Sequence, residues 1–391
     1  MQVEATDKIK AFDYDPRTRI VFGSGSLRRL GEISAAFGQR VLVVSDPGVV
    51  QVGHTQQGVQ SLEAAGLDVI LYDGARENPT TANVESGVAL ARDFSPDLLV
   101  GLGGGSSMDC AKGINFLYSC GGEMQDYWGV GKASSEMLPM IAVPTTAGTG
   151  SEMQSFALIS DSDTHVKMAC GDKRAACRVA ILDPDLTLTQ PTQVTALTGI
   201  DAISHALETF VTTKRNTISN FFSKESWRLL ATHFRTVMKN PDDVEARGAM
   251  QLGAAFAGLA IENSMLGASH ALANPLTAEY GVAHGQAVGM MLPHVIRFNA
   301  VTMESFYQEL HSSLDSSAFG KHRDSKESEQ LAELVEDLLT TAGLETRLSS
   351  LGVDQTHLDR LAEDASTQWT GRFNPREVNP TSLRLLYEKA Y

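Results

Sequence analysis

The sequence predicts two domains of different class: an α/β domain built on a parallel sheet, followed by an all-helical domain. From residue 40 to residue 185, short β-branched runs alternate with segments of helical periodicity, which is typical of a parallel sheet covered by helices. After about Asp185 the apolar residues recur at helical spacing, and almost no strand signal remains. We therefore expect the domains to comprise residues 1–185 and 186–391.

The predicted elements follow this division along the chain. A strand, a glycine turn and a helix are expected in TRIVFGSGSLRRLGEI. The clearest strands after that segment are RVLVVSD, LDVILYDG, PDLLVGLGGG and LPMIAVPTT. Helices are predicted in TQVTALTGIDAISHALETF, NFFSKESWRLLATHFRTVM, ARGAMQLGAAFAGLAI and ESEQLAELVEDLLTTAG. The polar stretch SSLDSSAFGKHRDSKESEQ is expected to be a surface loop.

Composition limits the classes of protein to consider. The 391 residues are 42% hydrophobic, enough for two domains with their own cores. The formal net charge of −15 argues against nucleic acid or an anionic membrane surface as a partner. No segment approaches the ~20 apolar residues that span a bilayer, and the N-terminus lacks the apolar core of a signal sequence. We expect a cytoplasmic protein whose four cysteines are reduced thiols.

Four residues of the second half have the chemistry and spacing of a divalent-metal site. In TGIDAISHALETFV, Asp201 and His205 stand one helical turn apart and can reach a common ion, and Glu208 lies close to the same face. His270 comes among small residues, and His284 is predicted to open a helix after the breaker-rich stretch NPLTAEYGVAHG. Three imidazoles and one carboxylate leave a coordination position open for water or substrate. The alternative is that these are separate core or surface histidines.

A glycine-rich turn in the first half carries a second chemical signal. Gly103, Gly104 and Gly105 stand with Ser106 and Ser107 between a predicted strand and a predicted helix. Glycines let a phosphate approach the backbone, and a helix N-terminus offers free N–H groups. We expect a pyrophosphate to bind here, which would make this domain a nucleotide-binding one; a plain strand-to-helix turn is the alternative. The pattern is neither the GxGxxG fingerprint nor a P-loop.

Two other segments end strands of the same predicted sheet. The turn from Pro144 to Glu152 has hydroxyls that could bind ribose or phosphate oxygens, or it could be a helix start capped by Ser151. Asp46 ends RVLVVSD and resembles the acidic residue that binds the adenosine ribose in dinucleotide-binding folds. A carboxylate there would repel a 2′-phosphate and favours NAD over NADP. The alternative is an Asp-Pro turn that closes the strand.

Together these motifs resemble the iron-containing alcohol dehydrogenase family, from about Ile20 to the NPRE segment at residues 374–377. The resemblance is carried, in order and spacing, by GGGSSMDCAK, PTTAGTGSE, TGIDAISHALE and HALANPLTAEYGVAHGQAVGMMLPHVIRFNA. It implies an N-terminal α/β nucleotide-binding domain, an all-helical C-terminal domain and a metal in the cleft between them, an architecture shared with dehydroquinate synthase-like enzymes. It also implies a homodimer.

The resemblance assigns roles to individual residues. It implies that Asp201, His205, His270 and His284 are the metal ligands. The family's cofactor-binding segments contain, in this chain, Asp46, Asn78, Pro79, Gly103, Gly104, Ser106, Thr145, Thr146, Thr149 and Lys167. Iron is the family's usual metal, and imidazole and carboxylate ligands are also compatible with zinc.

Two positions depart from the family pattern. Members often have a histidine near the substrate, four residues after the third ligand, where this chain has Asn274. Many members have a cysteine before the NPRE segment that lines the substrate pocket, whereas this chain has the longer stretch ASTQWTGRFNPRE, which carries Trp369. The substrate pocket is therefore expected to differ in size and polarity.

The function expected from these features is that of a metal-dependent alcohol dehydrogenase or aldehyde reductase. Hydride would pass between NAD, less favourably NADP, and a small primary alcohol or aldehyde whose oxygen is polarised by a divalent metal. A non-redox lyase of the dehydroquinate synthase-like type is the alternative, and it predicts a substrate cleft rich in Lys and Arg. The residues from His270 to His294 are instead mostly small and apolar. A metal-dependent binding protein would have lost a ligand or the glycine turn, and neither is lost.

Overall fold

A computed structural model describes residues 9–319 and 325–391 of the chain. Within them the chain divides into two compact units. The first unit is Asp15–Gln190, and the second is Pro191–Tyr391 together with residues 9–14. The short N-terminal segment contacts the second unit: Lys10 Nζ donates to the Thr213 carbonyl at 3.0 Å, and the ring centroids of Tyr14 and Phe222 lie 6.3 Å apart.

The first unit is built on strands that form two sheets. The strands are β1 Arg19–Phe22, β2 Arg40–Val44, β3 Asp68–Tyr72, β4 Leu98–Gly103, β5 Gly129–Val130, β6 Met140–Pro144, β7 Phe156–Ser160, β8 Lys167–Gly171 and β9 Val179–Leu182. Six of them form a parallel sheet in the order β1-β9-β6-β4-β2-β3. The other three form a small sheet in the order β5-β8-β7. The predicted parallel sheet is confirmed.

Helices cover both faces of the large sheet, which is why its central strands are apolar along their whole length. The helices are α1 Leu30–Ser34, α2 Pro47–Gln51, α3 His54–Ala64, α4 Thr81–Phe94 and α5 Gly105–Cys120. Successive residues of a strand point to opposite faces. Val41 and Val43 of β2 therefore join one hydrophobic core, and Leu42 and Val44 join the other.

Within its described residues, the regular elements of the second unit are all helices. Its helices are α6 Thr192–Val211, α7 Thr217–Lys239, α8 Val244–Glu262, α9 Ala268–Tyr280, α10 His284–His311, α11 Glu327–Thr341, α12 Leu358–Thr367 and α13 Pro380–Ala390. Leu272, Leu276, Met291 and Leu386 belong to one shared core of this unit. Within the described residues, every helix is too short or too polar to cross a membrane.

The structure corrects the interpretation of NPLTAEYGVAHG as a stretch that interrupts helices. Most of it lies inside α9, which continues through Pro275. The proline removes one backbone donor from the helix. However, the neighbouring Leu272 and Leu276 are fully buried, and tertiary packing of this kind outweighs local propensity. The prediction that His284 opens a helix is confirmed, since it is the first residue of α10.

The predicted polar loop between α10 and α11 is described only in part. A single helical turn spans Ser316–Ala318, and α11 begins at Glu327, before the predicted end of the loop. Residues 320–324 lie outside the described residues.

Candidate metal centre and cofactor-binding sheet edge

Helix α6 presents the first two predicted ligands on one face. Its apolar residues Ile200, Ile203 and Leu207 are buried and hold the helix in the core. Asp201 and His205 are also buried, each 5% exposed. The Nε2 atom of His205 lies 3.4 Å from Oδ1 of Asp201, as the one-turn spacing predicts.

Helices α9 and α10 bring the other two histidines to the same carboxylate. The Nε2 atoms of His270 and His284 lie 3.5 Å and 3.7 Å from Oδ1 of Asp201. Ligand atoms of these three residues all lie within 4.8 Å of one another. The ring of His205 stacks on that of His270, with centroids 4.9 Å apart. The four residues predicted as a set are therefore gathered around one carboxylate oxygen.

This donor set fits a divalent cation. Asp201 Oδ1 and His270 Nε2 are both buried, and neither has a hydrogen-bond partner among the described residues. Burying an unpaired polar atom costs about 1–3 kcal/mol, so two such atoms that face each other require a compensating partner. A carboxylate oxygen and imidazole nitrogens are ligands for Fe(II) and Zn(II).

Electrostatics in the site couple Asp201 to the histidines. Burial alone would raise the pKa of the Asp201 carboxyl, but His205, His270 and His284 lower it well below its usual range. Burial alone would lower the pKa of His270, but the carboxylates of Glu208 and Asp201 raise it to about 9. The site therefore attracts positive charge, which a divalent ion would supply once His270 is deprotonated.

Glu208 also belongs to this centre, although its position in the sequence predicts only that it lies close to the same helix face. Its Oε2 lies 2.5 Å from Nδ1 of His270, and the side chain is buried. Glu208 follows His205 by three residues and Asp201 by seven, which puts all three on one face of α6. This spacing is the feature of the sequence that indicates that Glu208 belongs to the site.

The residues predicted to bind a cofactor gather at the carboxyl ends of three neighbouring strands. Asp46 follows β2, Gly103 ends β4 and Thr145 follows β6. These strands are adjacent in the order β6-β4-β2, so their ends form one edge of the sheet. The backbone N–H of Thr145 donates to the Gly103 carbonyl at 2.9 Å. Ligands of open α/β sheets bind at this kind of edge.

The glycine turn leaves no room for side chains at two of its positions. A Cβ on Gly103, whose φ is +154°, would lie 2.4 Å from Ser107 Oγ. A Cβ on Gly105 would lie 2.5 Å from Thr149 Oγ1. Because these glycines have no side chains, the start of α5 packs closely against Asp46, which follows β2, and against the turn after β6 that contains Thr149. Gly104 lies beside Thr146, and Ser106 is half-buried in the first turn of α5.

Asp46 makes the contacts of the Asp-Pro turn that was the alternative interpretation, and it also contacts the glycine turn. Oδ1 accepts from the backbone N–H groups of Gly48 and Val49 at 3.0 and 3.1 Å, so Asp46 caps α2 as a turn residue would. Oδ2 accepts from the buried Ser107 hydroxyl at 2.8 Å. The carboxylate therefore lies against the glycine turn.

The alternative interpretation of Ser151 as a helix cap is wrong. The short helix Ser151–Met153 is preceded by Gly150 and has no side-chain cap. The Ser151 hydroxyl instead donates to Asp109 at 2.6 Å and accepts from Lys112 Nζ at 2.9 Å. These buried polar contacts fix the turn on α5.

Asn78, Pro79 and Lys167 form a separate group in the first unit. Lys167 Nζ donates to Asn78 Oδ1 at 2.9 Å, and the Pro79 carbonyl accepts from the Ser160 backbone at 2.8 Å. Asn78 has a φ of 51°, in the left-handed region that asparagine tolerates better than most residues. The loop after β3 is therefore held to β7 and β8.

The two departures from the family pattern lie in the second unit. Asn274 stands one turn after His270 on α9, and its amide donates to Gln368 Oε1 at 2.9 Å. Trp369 follows Gln368 and is 38% exposed, with its ring edge-on to Phe373. An amide pair thus stands where the family pattern often has a histidine.

Comparison with known proteins agrees with this architecture over the whole chain. Alcohol dehydrogenase 4 of Schizosaccharomyces pombe is 33% identical over 371 residues, which cover 95% of this chain and 87% of that protein. NAD-dependent methanol dehydrogenase of Bacillus methanolicus is 31% identical over 371 residues, covering 95% and 97%. The crystal structure of a 1,3-propanediol oxidoreductase superposes with a TM-score of 0.93 at 30% identity, covering 98% and 100%.

Two family models account for nearly all of the sequence. Residues 16–184 match the model described as iron-containing alcohol dehydrogenase. Residues 195–391 match the model of the C-terminal part of the Fe-containing alcohol dehydrogenase family. The resemblance drawn from the motifs is thereby confirmed, and so is the two-part fold class. The chain belongs to the iron-containing alcohol dehydrogenase family.

Proposed function

We propose that this alcohol dehydrogenase transfers hydride between NAD and a small primary alcohol or the corresponding aldehyde, at a divalent metal held by the second unit. The observation that carries the proposal is the donor set of Asp201, His270 and His284, in which the buried Asp201 Oδ1 and His270 Nε2 face each other without a hydrogen-bond partner among the described residues. We include His205 as the fourth ligand because its Nε2 lies 3.4 Å from the same carboxylate oxygen.

The metal would supply a Lewis acid that polarises the substrate oxygen. Iron is the first choice because of the family, and zinc suits the same ligands with higher intrinsic affinity. The ligands differ in access to solvent: the side chain of His284 is 37% exposed, whereas those of Asp201 and His270 are below 10%. We infer that substrate approaches the site from the side of His284.

The cofactor would bind the carboxyl edge of the large sheet. We assign its phosphates to Gly103, Gly104 and Ser106, where the N-terminus of α5 offers backbone N–H groups. We assign further contacts to Asp46, Asn78, Pro79, Thr145, Thr146, Thr149 and Lys167. The carboxylate of Asp46 lies against the glycine turn and would repel a 2′-phosphate, so we propose NAD rather than NADP. The relative from Bacillus methanolicus is NAD-dependent by name.

Asn274, which lies beside the proposed ligand His270, indicates how the protein binds its substrate. Asn274 lies one turn from His270 and carries an amide, which cannot donate or accept a proton as an imidazole does. We propose that it positions substrate and does not itself carry the proton released on oxidation, for which a bound cofactor would offer ribose hydroxyls. We also propose that residues 1–185 form the domain that binds the cofactor and that residues 186–391 form the domain that binds the metal. The protein is proposed to be a homodimer.

A reconstitution assay tests the proposed function. Metal-stripped protein is loaded with Fe(II) or Zn(II) and assayed with NADH and NADPH against a panel of short aldehydes that includes 3-hydroxypropanal. We expect turnover of at least one short aldehyde that requires added metal and prefers NADH. Metal-bound protein that binds NADH but turns over no member of the panel would contradict the proposal.

A further inference from the structure

The helix that carries His270 begins without a cap of its own. The residue before α9 is Gly267, which has no side chain to accept from the first N–H groups of the helix. The first four N–H groups of an α-helix have no partner within it. In a buried position such groups need acceptors from elsewhere, and Ala268, Ser269 and His270 are all buried.

Two side chains from other parts of the second unit supply those acceptors. Glu208 Oε1, on α6, accepts from the Ser269 backbone N–H at 2.6 Å. Asn374 Oδ1, in the NPRE segment, accepts from the Ala268 N–H at 3.3 Å. A Cβ on Gly267 would lie 3.1 Å from both of these oxygens, so glycine allows the two acceptors to approach the helix end together.

The same carboxylate that caps α9 also bonds its ligand. Glu208 Oε2 lies 2.5 Å from Nδ1 of His270, one residue further along the helix. With Nδ1 bonded to a carboxylate, the lone pair of the ring is placed on Nε2. That atom is buried and lies 3.5 Å from Asp201 Oδ1. A single side chain thus fixes both the backbone and the ring of this residue.

The surroundings of Glu208 offer its carboxylate few other polar partners among the described residues. The residue is 4% exposed, and within the described part of the chain its ion-pair partner is His270. Leu207, Val211, Leu292, Val295 and Ile296 line the space beside it, together with Asn299 and Tyr307. Burial of a carboxylate in such a place is costly unless each oxygen is satisfied, and here both oxygens are.

We propose that Glu208 is the positioning residue of the metal centre: it caps α9 and holds the ring of His270 so that Nε2 faces Asp201. Asn374 assists as the second cap, held by a reciprocal amide pair with Asn299 at 2.8 and 3.0 Å. This rests on the proposed role of His270 as a metal ligand. It gives the NPRE segment a role in holding the ligand-bearing helix.

Zinc affinity of metal-stripped protein tests the proposal, with unfolding measured in parallel. Glu208→Gln keeps the shape of the side chain but removes its charge. Its amide NH2 group would then face one of the two donors, the Ser269 N–H or the His270 ring, that the carboxylate oxygens now bond. We expect the Zn(II) dissociation constant, from competition with a chromophoric chelator, to rise about 10–100-fold. The absorption spectrum of the Co(II)-loaded protein should also change. Glu208→Asp, which keeps the charge, should recover part of the affinity.

Two control variants separate positioning from stability. Ser226→Ala removes a buried hydrogen bond to the Gly253 carbonyl elsewhere in the unit, and should lower stability without changing zinc affinity. Asn374→Ala removes a cap but no contact to His270, and should weaken zinc binding less than Glu208→Gln.

The outcomes distinguish this proposal from the proposed function. Native zinc affinity in folded Glu208→Gln, when the unsubstituted protein binds zinc, would overturn the positioning role alone. If the Glu208→Gln variant does not fold, Glu208→Asp decides, because its shorter side chain cannot reach both the helix end and the ring. Native zinc affinity and an unchanged Co(II) spectrum in Glu208→Asp would then overturn the positioning role. Failure of the unsubstituted protein to bind zinc, iron or cobalt would overturn the proposed function as well.

Discussion

Oδ1 of Asp201 and Nε2 of His270 face each other at 3.5 Å in the interior of the second unit, and neither makes a hydrogen bond among the described residues. They come from α6 and α9, which are separated by two other helices along the chain. A buried carboxylate oxygen and a buried imidazole nitrogen that make no hydrogen bond are costly by themselves. Their arrangement is explained by a cation that both would bind.

Removing one of these ligands should separate metal binding from folding. In His270→Ala we expect a folded protein with much weaker metal binding and activity near background. The substitution also leaves Glu208 Oε2 without its partner, so a loss of stability of about 1–3 kcal/mol should accompany it. Metal content measured after gel filtration checks this, and unchanged occupancy would remove His270 from the ligand set.

The buried Glu152 should make the stability of the first unit depend on pH. Burial raises the pKa of this carboxyl from 4.5 to about 7, although Lys112 opposes the shift. Between these values the folded protein holds the proton more tightly than the unfolded one, so stability should fall as pH rises from about 4.5 to about 7. Glu152→Gln should remove this part of the pH dependence and raise stability at pH 8 by up to about 3 kcal/mol.

Chemical denaturation at pH 5 and pH 8 measures this effect. The exposed Glu63 provides a matched control, and Glu63→Gln should leave the difference between the two pH values unchanged. A Glu152→Gln protein with the same pH dependence as the native one would show that Glu152 is not responsible.

Cofactor preference should depend on the charge of Asp46. We expect NAD(H) to be preferred over NADP(H), and Asp46→Gly to reduce the ratio of the two kinetic efficiencies. Each tenfold change in that ratio corresponds to ~1.4 kcal/mol of differential binding. Asp46→Asn should narrow the preference while keeping an acceptor for the start of α2. Ser107→Ala removes the hydroxyl that donates to Asp46 but keeps the charge, so its preference should stay near native. Equal kinetic efficiency of the native enzyme with both cofactors would contradict the placement.

Asn274 should affect substrate positioning more than proton transfer. Its amide is held by Gln368 at 2.9 Å and cannot titrate. We expect Asn274→Ala to lower the rate modestly, well short of the ~10²–10⁴ lost when a general acid or base is removed. Asn274→His should be tolerated and add a pKa near neutrality to the pH–rate profile. A loss of several orders of magnitude in Asn274→Ala, with metal and cofactor still bound, would refute this assignment.

Much of the fold was predictable because its signals are local. Strands β2 and β4 are almost continuous apolar runs that are buried on both faces, whereas the amphipathic helices α7 and α11 each bury one face that repeats along the sequence. By contrast, α9 continues through Pro275 because its neighbours are buried by other helices, and a local pattern does not reveal that. The small sheet of β5, β7 and β8 was missed because β5 has only two residues and because FALIS and KMACG, the sequences of β7 and β8, contain few β-branched residues.

The candidate site was also predictable only where its contacts follow from local spacing. Asp201 and His205 are one turn apart, so their proximity follows from helix geometry. Glu208 is one of 47 acidic residues, and its contact with His270 depends on how α6 packs against α9. Ser107 and Asp46 are 61 residues apart and meet because the strands that precede them, β4 and β2, are neighbours in the sheet. Contacts of this kind are set by tertiary structure rather than by local spacing.

We propose that activity depends on one divalent ion bound by Asp201, His205, His270 and His284. The most direct test is to titrate metal-stripped protein with Fe(II), or with Zn(II) in parallel, while following alcohol oxidation with NAD. We predict negligible activity without metal and a linear rise that ends at one ion per chain, with no such rise in His270→Ala. Full activity in protein shown to be free of metal, or an equal rise in His270→Ala, would contradict the account.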